Sequence, residues 1–286
     1  MTKKAKNLIA FIIIAGGIIL MCYPSFAGFV NQMFANREIA DYSSKIDSTD
    51  EEELTETIQK AYRYNSSLPG GYPADPFTGS NIADLKGTAF EDFWMVQEGA
   101  MIGYVEVPSI DVYLPIYYGT SAEVLSEGAG LVENTSLPVG GRSSHAVISA
   151  HTGLASKRLF TDLDLMKKGD LFFVHVLNQD FAYKVDQIKV VLPSEVEDLY
   201  IEEGRDCVTL LTCTPFGVND HRLLVRGERI DYDFSRDSDV KVTSRVILSE
   251  YLWLFVSGAA LAVLLCTGIV KRRKNKTRES GQQSAE

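Results

Sequence analysis

Length, composition and charge set the first limits on this protein. The chain has 286 residues, of which 45% are hydrophobic, and this is enough to build a sizeable core. The formal net charge is −10, and removing the net +7 of the basic tails, residues 1–7 and 271–286, leaves −17 for the remainder. A body this acidic repels polyanions, which argues against nucleic acid as a partner.

Two stretches without a single charged residue, 8–30 and 251–270, enclose most of the chain. Each is long enough to cross a bilayer, which takes about 20 apolar residues, although a buried core helix is the alternative for the second. Basic residues precede the first stretch and follow the second, so both termini are expected in the cytoplasm and the intervening residues outside the cell. A cleaved signal peptide is the alternative for the first stretch, since Ser25-Phe26-Ala27 fits a cleavage site.

After the first stretch, residues 31–65 are polar with helical spacing and predict one or two helices. A capping pattern from Ser48 to Glu51 favours a helix start just before ELTETIQKAYRYN. The Gly- and Pro-rich run SSLPGGYPADPFTGSN then predicts a long loop and lead-in over residues 66–100.

From Met101 the pattern changes to β-branched and aromatic runs separated by turns. The seven runs are IGYVEV, VYLPIYYG, HAVISA, DLFFVHV, FAYKVDQIKVV, CVTLLT and RLLVRGERI. They predict an all-β sandwich or barrel over residues 101–235. Residues 156–170 read as a short helix and turn, and residues 236–250 as a linker to the second apolar stretch.

Only two of the four cysteines, Cys207 and Cys213, lie outside the apolar stretches. Six residues apart on one strand, their Cα atoms would be about 20 Å apart, too far for a disulfide. Cys213 ends a strand run and is followed by a Pro-containing turn, where a side chain becomes accessible. A small buried side chain is the ordinary alternative, but a thiol exposed beside a cation would have a lowered pKa and act as a nucleophile.

Two basic residues are candidate partners for this thiol. Arg222 follows Cys213 after a loop of eight residues, so antiparallel pairing would bring their Cα atoms about 5 Å apart; a solvated edge-strand arginine fits the spacing equally well. His151 ends the run AVISA and is the best histidine by elimination. His145 lies at the far end of that strand and His175 lies inside another strand. His221 is next to Arg222 and so points to the opposite face.

No group of Cys, His, Asp or Glu has metal-ligand spacing and no Gly-rich phosphate loop follows a strand, so neither a metal nor another cofactor is expected. The run TLLTC (209–213) resembles the TLxTC signature of sortases, a family of cysteine transpeptidases. Its continuation, residues 214–229, resembles the class C, pilus-building members. Residues 102–119 resemble the opening strand pair of the family, and ISAHTG (148–153) resembles its histidine motif.

The resemblance implies a mainly β fold, a closed eight-stranded sortase-type barrel with N-terminal helices, flanked by two transmembrane helices. In this reading Cys213 attacks the carbonyl after Thr of an LPxTG-like sorting signal, and the imidazolium of His151 lowers the thiol pKa and protonates the leaving amine. Arg222 holds the oxyanion. The run Asp75-Pro76-Phe77 resembles the class C lid, in which Asp75 would pair with Arg222 while Phe77 covers the thiol.

The implied partners are pilin subunits that bear an LPxTG-like signal and an acceptor lysine, whose amine would open the thioester to form an isopeptide bond. Three alternatives remain open on the sequence. A hydrolytic cysteine protease could use the same thiol and imidazole. A cell-wall-anchoring sortase would differ in its acceptor amine, and a non-enzymatic surface module would need Cys213 only for packing.

Overall fold

The computed structural model describes residues 3–68, 73–77, 88–154 and 157–235. The chain divides into two compact units, of which the larger is Val30–Thr243 and the smaller joins Met1–Phe29 with Ser244–Glu286. The predicted linker, second membrane helix and C-terminal tail lie outside the described residues, as does most of the loop after Phe77.

Two helices precede the strands, α1 (Lys3–Asp47) and α2 (Glu51–Ser67). Asp50 is the N-cap of α2, so the predicted helix start is right, although no side chain makes the expected capping hydrogen bond. α2 extends two residues into the predicted loop. The predicted membrane helix at 8–30 falls within α1; across the residues that the structure describes, however, no helix combines the length and the apolar character needed to cross a membrane. The membrane helix therefore stays a prediction.

Eight strands follow: β1 (Met101–Val107), β2 (Val112–Tyr118), β3 (Ala129–Leu131), β4 (Ser144–Ser149), β5 (Leu171–Val176), β6 (Gln179–Val191), β7 (Asp206–Thr214) and β8 (His221–Ile230). They close into a barrel in the order β1-β2-β3-β4-β7-β8-β6-β5. The β2–β3 and β4–β7 pairs are parallel and the other pairs are antiparallel. The predicted closed eight-stranded barrel is confirmed.

Three local features differ from the sequence prediction. β3 was missed because three residues are too few to show an alternating pattern, yet it pairs with both β2 and β4 and so closes the barrel. A short helix, α3 (Ala122–Glu127), was also missed; Ser121 caps it by accepting a hydrogen bond from the Val124 N–H. Residues 157–170 form turns with a single 3₁₀ turn at Leu163–Leu165, where a short helix had been predicted.

The N-terminal helices pack against the barrel through tyrosines. The Tyr42 hydroxyl donates to the Ile102 carbonyl at 2.8 Å and accepts from the Leu177 N–H at 2.8 Å. On α2, the hydroxyl of Tyr64 lies 3.3 Å from that of Tyr118 on β2. Each tyrosine buries an apolar ring and satisfies its hydroxyl, which fixes the helices on the barrel at defined positions.

The sheet β4–β7–β8 has two faces with different roles. Alternate side chains of these strands point into the main core: Ala146, Ile148, Val208, Leu210, Leu223 and Val225. The intervening side chains point outward. Three of them form a second apolar cluster together with two residues from outside these strands, and three further side chains pack against it: Val147, Leu211 and Leu224, with Val132 and Leu199, and then Phe77, Val191 and Val196. This outer face carries the candidate site.

Candidate active site

The three candidate catalytic residues lie in one row across the outer face of the sheet. Cys213 and Arg222 are direct cross-strand partners in the antiparallel pair β7–β8. On the other side of β7, the parallel strand β4 places Ser149 opposite Leu211. Two residues further along both strands, His151 reaches the level of Cys213. Because neighbouring strands lie about 4.8 Å apart, the register places Arg222 beside the thiol and directs the chain after β4 toward the same level of the sheet.

Hydrogen bonds continue this alignment beyond the end of β4. The Ala150 N–H donates to the Leu211 carbonyl at 3.1 Å, and the buried Thr212 hydroxyl returns a bond of 2.7 Å to the Ala150 carbonyl. The His151 carbonyl accepts from the Phe160 N–H at 3.1 Å. The backbone on both sides of the imidazole is therefore held, which fixes where the ring can point.

The segment with Asp75 and Phe77 lies directly over the row. The two carboxylate oxygens of Asp75 accept from Nε and Nη2 of Arg222 at 2.6 and 2.8 Å, and the two side chains are only 6% and 8% exposed. The Phe77 ring centroid lies 5.4 Å from that of His151 and 5.1 Å from Cζ of Arg222. Cys213 is left 9% exposed. The arrangement is closed, with the cation engaged by a carboxylate and the imidazole covered by a ring.

Burial controls the protonation of the site in this arrangement. It raises the pKa of the Cys213 thiol, an effect that the Arg222 charge counters and the Asp75 carboxylate reinforces. Burial also lowers the pKa of the His151 imidazole. Both groups are consequently neutral at pH 7. The thiolate–imidazolium pair, one possibility that the resemblance implies, is therefore not favoured in this closed arrangement, because Cys213 is buried and Asp75 counters the charge of Arg222.

Arg222 remains charged in spite of its burial. Burial alone would lower its pKa, but the hydrogen bonds to Asp75 and the neighbouring charges raise it overall. Its Nη1 also donates to the carbonyls of Asn219 and His221 at 3.1 and 3.0 Å. The guanidinium is thus oriented by its own loop as well as by Asp75, so it would keep its direction if the carboxylate left.

The remaining histidines occupy other places in the fold. His145, at the far end of β4, is buried and its Nε2 lies 2.8 Å from the Thr209 hydroxyl. His175 pairs through Nδ1 with Asp180 at 2.6 Å on the β5–β6 side of the barrel. His221 lies beside Arg222 and contacts Asp220. Within the described ranges, no three His, Cys, Asp or Glu side chains gather to hold a metal ion.

Sequence reasoning missed one contact at the edge of the site. Phe216, in the turn after β7, is 68% exposed, yet its ring lies 3.3 Å from the position that a Cβ on Gly153 would take. Gly153 has φ +79, a conformation that glycine adopts readily. The turns after Cys213 and His151 therefore touch each other, and nothing in the local sequence of either turn indicates it.

Comparison with known proteins agrees with this fold. The family model described as the sortase domain matches residues 105–230. A sortase C structure from Streptococcus pneumoniae is 46% identical, with a TM-score of 0.62, and the alignment covers 68% of this chain and 97% of that one. Sortase C of Clostridium perfringens, solved with the C-terminal cell wall sorting motif, is 48% identical with a TM-score of 0.60, covering 69% of this chain and 100% of that one.

Among curated proteins, sortase A of Streptococcus agalactiae is 32% identical over 131 residues, which are 45% of this chain and 52% of the relative. The chain thus spans little more than half the length of the first curated relatives it matches. The solved structures, by contrast, are covered almost completely. The chain belongs to the sortase family, and its resemblance to class C members, drawn from the sequence, is confirmed.

Proposed function

We propose that this protein is a cysteine transpeptidase that cleaves an LPxTG-like sorting signal after Thr and transfers the acyl group to a lysine amine of a pilin subunit. The observation that carries the proposal is the single row formed by His151, Cys213 and Arg222 on the outer face of the sheet. A nucleophile flanked by a proton-transfer group and a fixed cation is the arrangement that acyl transfer requires.

Each residue in the row has one task in the reaction. His151 accepts the proton of the Cys213 thiol, and the thiolate attacks the scissile carbonyl to give a tetrahedral oxyanion held by Arg222. The C–N bond then breaks, His151 returns its proton to the leaving amine, and a thioester remains. The lysine amine attacks this thioester and loses a proton to His151, so the thiol is regenerated when the new amide forms.

We further propose that Asp75 and Phe77 form a lid that the substrate must displace. Asp75 occupies the two donors of Arg222 that an oxyanion would use, so substrate and lid compete for one guanidinium. Phe77 meanwhile lies against the imidazole that must exchange protons. Lid opening would hydrate the thiol and remove the Asp75 charge, and both changes lower the pKa of Cys213 from its raised value.

Similarity supports pilin as the substrate class. The Streptococcus pneumoniae sortase C structure is described in terms of pilin substrate specificity, and the Clostridium perfringens structure contains a cell wall sorting motif. At 46% and 48% identity over nearly the whole of those chains, a shared substrate class is the simplest inference.

Tethering to the cell membrane completes the proposal. The charge-free stretches 8–30 and 251–270, with basic residues outside them, support two anchors with both termini in the cytoplasm and the barrel outside. Cleavage after residue 27 is the alternative for the first anchor. Added protease should digest the barrel on intact cells while leaving a C-terminal epitope tag intact; loss of the tag would refute the topology.

The enzymatic proposal is tested by incubating the full-length protein with an LPxTG peptide, with and without a lysine-bearing acceptor, and analysing it by mass spectrometry. We expect an acyl adduct on Cys213 that resolves to an amide when acceptor is present. Cys213→Ala should abolish the adduct, whereas Cys207→Ala, at a buried cysteine on the same strand, should not. An adduct that resolves equally fast without amine would identify a hydrolase.

A further inference from the structure

The row of side chains immediately below the catalytic row contains one unusual member. The strand register places Ser149, Leu211 and Leu224 side by side on the outer face, two residues from His151, Cys213 and Arg222 along their strands. Leu211 and Leu224 belong to the second apolar cluster, against which Phe77 of the lid packs. Leu211 and Leu224 form an apolar surface, here called the floor, and Ser149 places a hydroxyl beside it. Ser149 lies about 7 Å along the strand from the row that contains Cys213.

The Ser149 hydroxyl is fully buried and has no hydrogen-bond partner within the described part of the chain. Three buried hydroxyls nearby, by contrast, have partners. Thr212 donates to the Ala150 carbonyl at 2.7 Å, Thr209 lies 2.8 Å from His145, and Ser136 accepts from the His145 N–H at 3.1 Å. An unpaired buried hydroxyl destabilises a fold, and alanine would fill almost the same volume without that penalty.

We propose that Ser149 is a substrate-positioning residue whose hydroxyl hydrogen-bonds the backbone of the bound peptide once the lid has left; the inference rests on the proposed function. An extended peptide advances about 3.3 Å per residue, so a group 7 Å from the thiol's row meets the backbone about two residues from the scissile bond. At that point the peptide would lie on Leu211 and Leu224, which cannot satisfy its N–H and C=O groups.

A hydroxyl suits this position because it can either donate to a carbonyl or accept from an N–H. Phe77 offers neither, so the closed state leaves Ser149 unpaired and the substrate-bound state pairs it. The Ser149 hydroxyl therefore stabilises a bound peptide on the floor but does not stabilise the lid there. A buried group that stays unsatisfied in the resting enzyme would in this way contribute to substrate affinity.

The test compares Ser149→Ala with Ser136→Ala in the full-length protein, measuring Tm and the kcat and KM for acyl transfer from an LPxTG peptide. Ser149→Ala should keep or raise Tm, leave kcat nearly unchanged and raise KM roughly 2- to 12-fold, the range expected for one hydrogen bond. Ser136→Ala, which removes a satisfied hydroxyl away from the floor, should lower Tm and leave KM unchanged.

Peptides with a single backbone amide replaced by an ester locate the contact. One ester should weaken binding to the parent enzyme and have no effect on Ser149→Ala. An unchanged KM in Ser149→Ala, a KM rise accompanied by a lower Tm, or ester effects identical in the two proteins would each overturn the inference. A parent enzyme that forms no adduct with any sorting peptide would instead refute the proposed function itself.

Discussion

The lid makes the most direct prediction about this protein. Removing both lid contacts, in Asp75→Ala/Phe77→Ala, should uncover Cys213 without altering the barrel, because both side chains come from the loop and not from a strand. The segment is held by the two hydrogen bonds to Arg222 and by the Phe77 ring between Arg222 and His151. Alkylation of the thiol by a small reagent should therefore become faster.

The size of the effect follows from these contacts. Charge-assisted hydrogen bonding contributes about 1.5–3 kcal/mol net, and the cation–π contact adds about 0.5–1 kcal/mol. Opening the lid therefore costs about 2–4 kcal/mol. At 1.4 kcal/mol per factor of ten, the double variant should react about 30- to 700-fold faster. Its pH profile should also shift to lower pH, because burial and the Asp75 charge both raise the pKa of Cys213.

Alkylation is measured on the full-length protein by following modified peptides over time and across pH. Cys207, buried on the same strand, is an internal control whose rate should not change. Asp75→Asn removes the charge with little change in shape and should give a smaller increase, while Asp92→Asn at an exposed position should give none. An unchanged rate for Cys213 in the double variant would refute the lid, and a parallel increase for Cys207 would indicate general loosening of the barrel.

Three further outcomes are expected. Arg222→Lys should lower kcat about 10²- to 10³-fold in the peptide assay, since a lysine cannot present two donors in a fixed plane. Burial acts to lower the pKa of His175, but its carboxylate partners raise it overall, so its ion pair stabilises the fold fully below about pH 6.5 and less as pH rises through the raised value. The Tm deficit of His175→Gln should accordingly shrink at alkaline pH. Gly227→Ala should lower the free energy of unfolding, measured with a denaturant, by about 1–3 kcal/mol, because the new Cβ would lie 2.5 Å from Phe172 and 2.9 Å from Tyr183. An unchanged free energy of unfolding would contradict this.

Much of the barrel could be predicted from local patterns. The seven alternating runs correspond to seven of the eight strands, since each is long enough for period-two alternation to be visible. β3 could not be found this way, because three residues carry no period and its place depends on pairing with strands remote in sequence. α3 is similarly short, and only its Ser121 cap distinguishes it.

The candidate site, like the barrel, could be predicted only in part from local sequence patterns. The loop length between Cys213 and Arg222 was enough to predict their juxtaposition, because a loop joining adjacent antiparallel strands fixes the register. Reasoning from the residues reached His151 by elimination, and the resemblance of ISAHTG to the family's histidine motif supported it; its position relative to Cys213 depends on the parallel pairing of β4 and β7, some 60 residues apart. The resting protonation states could not be predicted from the sequence, because they depend on how deeply Cys213 and His151 are buried and on the Asp75 charge beside Arg222.

The sequence by itself indicated the candidate nucleophile, its candidate cation, the strand-rich body and the family, because each depends on contiguous residues whose spacing carries the information. Tertiary structure alone decided two things: that the candidate site adjoins an apolar cluster on the outer face of the sheet, and that the buried Ser149 hydroxyl has no hydrogen-bond partner within the described residues. The pairing of Asp75 with Arg222, 147 residues apart, was implied by the resemblance and not by any local pattern. The physical reason is that burial and charge pairing depend on which distant segments pack together, and no local pattern specifies that.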